Sequence, residues 1–559
     1  MKSWLIGGGL ALTLLLAGCP KAGTDADAGD GGTDAAEPFA PDRVCPGDPD
    51  CTGTVGDGNL YVGAAMRSIL PTGFENWNDA DGDAAWNPDV DTFTDADGDG
   101  VFDAIWIAGF GGGRAANGVM DDLWARTVVL RWNDVTIAIT AVDVVGYFRD
   151  EVELIRAALP PSLGVDLVVV AATHDHEAPD TIGIWGPELN VSGVNDAFMA
   201  GIRDAVVANI TDAVGALEPA NVEYASTATE HPTYGYEPYV SDTRHPTVLD
   251  PTLTMLHFVR ESDGGTIATL VNWAAHPEYL GSDNLLLSSD YPAWLREYIT
   301  NGISDAYGTV PGVGGGVTVF INGPLGGQVG PGWVVARTPD DAMTFPSASP
   351  EKAMYAARAV ASLALDALAN SSVTEDTMEL GFTYEKFRVH IENRGYHLYL
   401  LLGVLQREVF NYTPGTPITD GNYPEVDSEA MHLRLGRAEV ITCPGELFPE
   451  FYLGGYDGSY AGTWPLIDTT EANPPDLTLA PPPPYLRDLM TGEYRMMWGL
   501  TGDMLGYIMP EFEFLLHPQT PYLKEADGDH YEETNSVGPN ADSEIVGNMR
   551  NLLTWKPSN

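Results

Sequence analysis

The stretch Asp166–Thr181, DLVVVAATHDHEAPDT, ends an aliphatic run on two histidines, His174 and His176. In extended chain, residues two apart project to the same side, so both imidazoles reach one site. Imidazole is the commonest neutral metal ligand and the side chain that exchanges protons near neutral pH. The pair therefore suits metal binding, or one ligand beside one acid/base group. Two further runs end in the same way. TIATLVNWAAHPEYLG is apolar up to His276, where Pro277 stops it, and AEVITCPGELF is apolar up to Pro444-Gly445, with Glu446 directly after. In open α/β sheets, sites gather beyond the carboxyl ends of strands. His174, His276 and Glu446 make two imidazoles and one carboxylate, a common set for a catalytic Zn²⁺ that keeps room for water. A lone histidine is more often structural, and it is the shared strand-end context that singles out these three.

The elements that must carry those ends are visible in the hydrophobic patterning. TVVLRWNDVTIAITAVDV gives two β-rich runs around an Asn133-Asp134 turn, a hairpin signal. VELIRAALP has helical spacing, VDLVVVAATH follows as a strand, and VNDAFMAGIRDAVVANITDAVGAL has apolar residues at helical spacing again. Ser349-Pro350-Glu351 supplies a cap and a first-turn proline for a further helix. Alternating strands and helices predict an α/β fold: one large domain over residues 58–559, with a mixed β-sheet flanked by helices. Pro481–Pro484 reads as a rigid surface loop within it.

Before this domain, MKSWLIGGGLALTLLLAGC has one lysine, a short apolar run and small residues before Cys19, the pattern of an export signal over residues 1–18. Leu16-Ala17-Gly18-Cys19 resembles a bacterial lipobox, which implies an acylated Cys19 and a membrane-anchored exported lipoprotein. Pro20, rather than Asp, follows the cysteine, and by analogy with enteric bacteria this points to the outer membrane. Residues 19–57, rich in Ala, Asp, Gly and Pro, read as a flexible acidic tether. Within it Cys45 and Cys51 are close enough to form a small disulfide loop, which leaves Cys443 as a buried free thiol. The formal net charge of −53 argues against nucleic acid as a partner, because no basic patch is available to neutralise phosphates. Residues 78–103 form an Asp-rich insertion in which Asp95, Asp97, Asp99, Gly100 and Asp103 follow D-x-D-x-D-G-x-x-D. This spacing resembles a loop that wraps structural Ca²⁺ with oxygen ligands, although Trp106 stands where an EF-hand has glutamate.

Several ordered segments resemble the catalytic domain of the neutral ceramidase family, zinc amidohydrolases that cleave the amide of N-acylsphingosines. YVGAAMRSILPTG resembles its opening strand, and MDDLWARTVVL its segment with a Leu-Tyr-Ala-Arg-like run. AATHDHEAP stands at its Thr-His-Thr-His-Ser-Gly-Pro, SDTRHPTVLD at its Asn-Arg-Ser-Pro segment, and VNWAAHPEYLG at its Asn-Trp-Phe-Ala-Val-His-Pro. LLSSDYPAWL resembles the stretch that follows, CPGELF its Pro-Gly-Glu motif, and HYEETNSVGP its late His-Tyr-Glu-containing motif. By position, the resemblance places zinc ligands at His174, His276, Glu446 and Tyr531. It makes His176 the acid/base histidine beside the metal and Arg244 the substrate-orienting arginine. Tyr531 and Arg244 come from the resemblance alone.

The chain also departs from the family pattern. GGQVGP stands where the family has Gly-Asp-Val-Ser-Pro, which puts Gln328 at the aspartate and Gly330 at the serine. Glu177-Ala178-Pro179 replaces Ser-Gly-Pro. The chain ends at Asn559, shortly after Tyr531, so the family's C-terminal Ig-like β-sandwich is not expected. The resemblance implies a zinc hydrolase of a linear N-acyl amide, or of a related ester, with a metal site kept and a substrate that has drifted from ceramide. The alternative is a surface-tethered, zinc-containing binding protein on the same scaffold with lost or altered activity.

Overall fold

Asn133 adopts the left-handed backbone (φ 52°) that a tight hairpin needs and asparagine tolerates. The hairpin it closes joins two strands of the main sheet. The computed structural model describes residues 42–46, 51–328, 332–413 and 422–557. All of these belong to one compact unit, Ala40–Asn559. The export signal, Cys19 and Gly330 lie outside the described residues.

The main sheet uses β2 (Leu60–Ser68), β3 (Trp124–Trp132), β4 (Val135–Val142), β5 (Leu167–Ala172), β6 (Glu218–Ala228), β7 (Thr252–Arg260), β8 (Thr266–Trp273) and β9 (Val317–Asn322). Their order is β9-β8-β7-β6-β2-β3-β4-β5, and Val373–Glu375 pairs with β6 as a ninth strand, β10. Most neighbours are antiparallel, but β4 with β5 and β8 with β9 are parallel. The second sheet joins β1 (Asp42–Val44), β11 (Leu380–His390), β12 (Glu425–Leu435), β13 (Ala438–Thr442) and β15 (Tyr494–Trp498), with β13 parallel to β15. A short parallel pair, β14 (Glu446–Leu447) with β16 (Tyr507–Ile508), follows the end of β13.

Burial explains the layering. Val128, Ile137, Val169, Phe258, Leu270 and Val319 of the main sheet share one apolar core with Leu380, Met431, Leu433, Val440 and Trp498 of the second. The two sheets therefore stack face to face. Helices α1 (Arg149–Ala158), α2 (Asp196–Gly215), α3 (Tyr291–Asn301) and α4 (Pro350–Ser371) cover the outer face of the main sheet. α5 (Arg394–Leu402) packs beside Ile182 and Leu405, and α6 (Gly547–Thr554) lies on the second sheet. The expected mixed α/β architecture with flanking helices is present, and the strands form stacked sheets with no closed barrel among the described residues. The Ser349 side chain caps α4 by accepting from Lys352 N–H, as its position before Pro350 suggested. No described helix is long and apolar enough to cross a membrane.

The expected tether boundary at residues 57/58 needs correction. Asp42–Val44 pairs with Tyr384–Lys386 as an edge strand, Cys45 and Cys51 form a disulfide, and Thr52 bridges Gly381. Arg43 forks onto buried Glu385, with Nε to Oε2 at 3.0 Å and Nη2 to Oε1 at 3.1 Å. Low apolar content hid this stretch, which is held by backbone pairing and one ion pair. Cys443 is a buried free thiol, and burial raises its pKa.

Candidate active site

The strand ends converge because one side chain ties them. Asn322, the last residue of β9, is fully buried. Its Nδ2 donates to Thr173 O (3.1 Å) and Ala275 O (2.9 Å), while its Oδ1 accepts from Ala275 N–H (3.0 Å). Thr173 and Ala275 immediately precede His174 and His276, so Asn322 fixes both histidine-bearing turns to one point. His174 sits at φ 67°, an uncommon conformation for a residue with a Cβ, and its ring is aimed by Nδ1–H donating to Val145 O (2.7 Å).

With Nδ1 committed to a carbonyl, the Nε2 lone pair of His174 faces inward. It meets His176 Nε2 at 3.1 Å and Glu446 Oε2 at 3.2 Å, and His276 Nε2 lies 3.2 Å from the same carboxylate oxygen. Donor atoms of His174, His176 and His276 all fall within 4.8 Å of one another, and all three residues are buried. Ligands of a tetrahedral zinc with Zn–N of about 2.0–2.1 Å are separated by about 3.3 Å. The observed spacings match that edge, and a cluster of inward lone pairs beside a carboxylate is the donor chemistry a divalent cation needs. The residues present fit zinc.

Electrostatics point the same way. Burial lowers the pKa of His176 well below its ordinary value, helped by His174, His276 and Arg114; burial also lowers His276, partly offset by Glu446. Both shifts favour the neutral imidazole, the form that ligates. Burial alone would raise Glu446, but His174 and His276 outweigh it and bring the carboxyl down to about 2. The carboxylate is ionised at any ordinary pH.

The centre opens on a cavity of about 70 Å³. His174, His176, Glu446, Tyr507 and Tyr531 form its polar end, and Ile182, Trp185, Leu400, Leu405, Met504 and Leu505 are among its apolar walls. Tyr531 is 39 % exposed as a whole residue, yet its hydroxyl end reaches inward: burial raises its pKa, with Glu446 the next cause. Its ring lies edge-on to Tyr507, with centroids 5.8 Å apart, and the Tyr507 ring in turn stacks over His276 at 6.5 Å.

Arg244 is placed behind Tyr531 and does not line this cavity. It is fully buried, with Nη1 on Glu532 Oε2 (2.7 Å) and Nη2 on Glu533 Oε1 (2.8 Å), the two residues that follow Tyr531. Gln328 is buried and donates from Nε2 to Pro324 O (2.9 Å). Glu177 points away from the cluster onto Arg114 Nη2 (2.7 Å), and burial raises it to about 8 despite that partner.

In the Asp-rich insertion, Asp95 and Asp97 group with buried Glu75, while Asp79, Asp81 and Asp91 form a second acidic group. Asp99 and Asp103 stand outside both groups. Asp95 accepts from Gly98 N–H (2.7 Å) and Gly100 N–H (3.1 Å), which curls the loop around its carboxylate.

Sequence reasoning missed Asn322, Tyr507 and Glu75. Asn322 had a usable signal, since VTVFINGP is another apolar run ending in a polar residue before Gly-Pro. Tyr507 and Glu75 had none.

Among solved structures, the crystal structure of neutral ceramidase from Pseudomonas aeruginosa matches over 89 % of this chain and 74 % of its own, with a TM-score of 0.56 and 14 % identity. The fold is that of the neutral ceramidases. A second ceramidase structure, complexed with C2, matches over 89 % of this chain and 75 % of its own, with a TM-score of 0.55 and 15 % identity. No family model and no curated protein matches the sequence. The ceramidase likeness read from scattered motifs is thus present as shared architecture at low sequence identity, and the chemistry rests on the site itself.

Proposed function

We propose that the protein is a zinc-dependent hydrolase of a linear N-acyl amide, or of a closely related ester, with an apolar acyl group. The observation that carries this reading is the convergence of His174, His276 and Glu446, with His176 beside them, at the polar end of an apolar cavity. The ceramidase fold of the structural neighbours supports it.

When bound, zinc would polarise the acyl carbonyl and bring the pKa of water towards neutrality. The rest follows from this chain's residues. His174, His276 and Glu446 would hold the ion, and Tyr531 closes the centre from the cavity side. The apolar wall formed by Ile182, Trp185, Leu400 and Leu405 takes the acyl group and excludes water, which strengthens every charge interaction inside. His176 Nε2, kept as the neutral base, accepts the proton of the attacking water and passes it to the leaving amine. The Tyr531 hydroxyl, held protonated by burial, donates to the carbonyl oxygen as charge develops there. Arg244 serves by positioning: its two forks fix the segment that presents Tyr531.

The test is a panel of N-acyl compounds with released amine as readout. Turnover that is lost on chelation, regained with zinc and absent in His174→Ala supports the proposal. Stoichiometric zinc without turnover on any amide or ester would refute it and leave a binding protein. We also propose, from the sequence signal, export and anchoring through acylated Cys19; a Cys19→Ala chain released from membranes is the expected result.

A further inference from the structure

Glu450 and Glu513 are buried carboxylates that take no part in the hydrolysis described above. They are 2 % and 5 % exposed. Both oxygens of Glu513 and Oε2 of Glu450 lack a hydrogen-bond partner among the described residues, and so does the hydroxyl of Tyr456. These four atoms are also closed to solvent, so bulk water does not stand in for the missing partner. An unpaired buried carboxylate is costly and calls for a compensating charge.

The neighbouring side chains do not supply that charge. Arg244, the cation beside both carboxylates, has its terminal nitrogens on Glu532 Oε2 (2.7 Å) and Glu533 Oε1 (2.8 Å). Its Nη2 also donates to the main-chain oxygen of Glu513 (3.3 Å), which brings that residue against the guanidinium without engaging its carboxylate. His530 Nδ1 is held by Glu533 Oε1 (2.9 Å). The Asp242 carboxylate accepts from Arg244 N–H (3.0 Å) and Val248 N–H (2.8 Å). Glu450 and Glu513 act on each other: burial raises the pKa of Glu513 most, and Glu450 is the next cause. Burial raises the Tyr456 hydroxyl as well, followed by Glu450 and Glu513, so the three groups share one place. A cavity of about 270 Å³, lined in part by Arg244, Glu513 and His530, borders them and gives an ion a way in.

We propose that Glu450 and Glu513 are ligands of a structural cation site, with the Tyr456 hydroxyl oxygen turned to the same ion. Two uncompensated carboxylates call for a divalent charge. The open donors are all oxygens, which selects a hard cation over zinc. Magnesium keeps several of its waters, whereas these oxygens are closed to water, so the site suits calcium. An ion here ties the turn Glu511–Glu513 to the segment Pro449–Leu453, beside the arginine that fixes the residues after Tyr531. The proposal stands apart from the hydrolase reading, because Glu450, Tyr456 and Glu513 do not line the zinc cavity.

The experiment measures Ca²⁺ bound per full-length chain by equilibrium dialysis, together with the melting temperature. Asp95→Ala serves as the parent, so that the Asp-rich insertion does not mask the result. Glu450→Gln and Glu513→Gln, each made in that parent, are expected to bind one Ca²⁺ fewer. Calcium at 100 times its Kd should add about 2–3 °C to the melting temperature of the parent through this site, and each variant should lose that contribution. Without calcium, both variants should be at least as stable as the parent in urea, because each removes an unpaired buried carboxylate. Unchanged calcium binding in both variants would overturn the proposal and leave the two carboxyls as a pair kept neutral by protons. A calcium-free variant that unfolds well below its parent would overturn it too, because the carboxylates would then be satisfied within the fold.

Discussion

Replacing Asn322 by alanine should loosen the candidate centre without touching any ligand. The asparagine is fully buried, and its amide supplies the acceptor of Ala275 N–H and the donor to Thr173 O. Alanine leaves both groups buried and unpaired. Ala275 O keeps Tyr291 OH as donor (2.9 Å), so it is not counted. Each orphaned group costs about 1–3 kcal/mol, so the expected loss is near 4 kcal/mol. The same change frees the residues before His174 and His276, and loss of such outer support typically weakens metal binding by about 10–100-fold. Urea unfolding of the metal-free chain measures the first effect, and zinc competition against a chromophoric chelator measures the second. A variant within about 0.5 kcal/mol of wild type that binds zinc equally well would refute the idea that Asn322 ties the two strand ends.

Arg244→Met leaves Glu532 and Glu533 buried without their partner, so unfolding stability should fall by about 3–5 kcal/mol; a neutral effect in urea melts would argue against the fork. Burial would raise Glu439, but His432 and the Thr491 and Gly492 amides bring it down to about 2, below its unfolded value of 4.5. Its stabilisation is therefore present above pH 4.5 and is lost as pH falls towards 2, on the order of 2 kcal/mol after allowance for solvent screening. Glu439→Gln should be less stable than wild type at pH 6 and converge with it near pH 2; a gap independent of pH contradicts this. Leu400→Trp narrows the cavity wall, so kcat/KM should drop at least 10-fold for the longest acyl chains and hold for short ones, read from a chain-length series. If the Asp-rich insertion binds calcium as its spacing suggests, Ca²⁺ should raise the melting temperature and Asp95→Ala should abolish the rise; an equal rise in the variant places the ion elsewhere.

His174, His276 and Glu446 were legible because a ligand residue at the end of an apolar run is a local pattern; that Asn322 ties the ends of β5 and β8, which stand towards opposite edges of the sheet, was not. The hairpin at Asn133, the helix capped by Ser349 and the small disulfide were legible for the same reason: each is decided by a few neighbouring residues. What escaped was set by tertiary packing. Nothing around Tyr507 foretells a ring stacked on His276. Asp42–Val44 looked like tether because edge strands owe their order to a partner backbone more than to their own apolar content. The stacking of two sheets was equally hidden, since each strand's alternation fixes its buried face but not which sheet covers it.

The most direct test is X-ray absorption at the zinc edge on the reconstituted, full-length protein. One zinc per chain is expected, bound by nitrogen and oxygen at about 2.0–2.1 Å with scattering from at least two imidazoles, and that signal should be lost in His276→Ala. Substoichiometric zinc, or a shell without imidazole scattering, would contradict it.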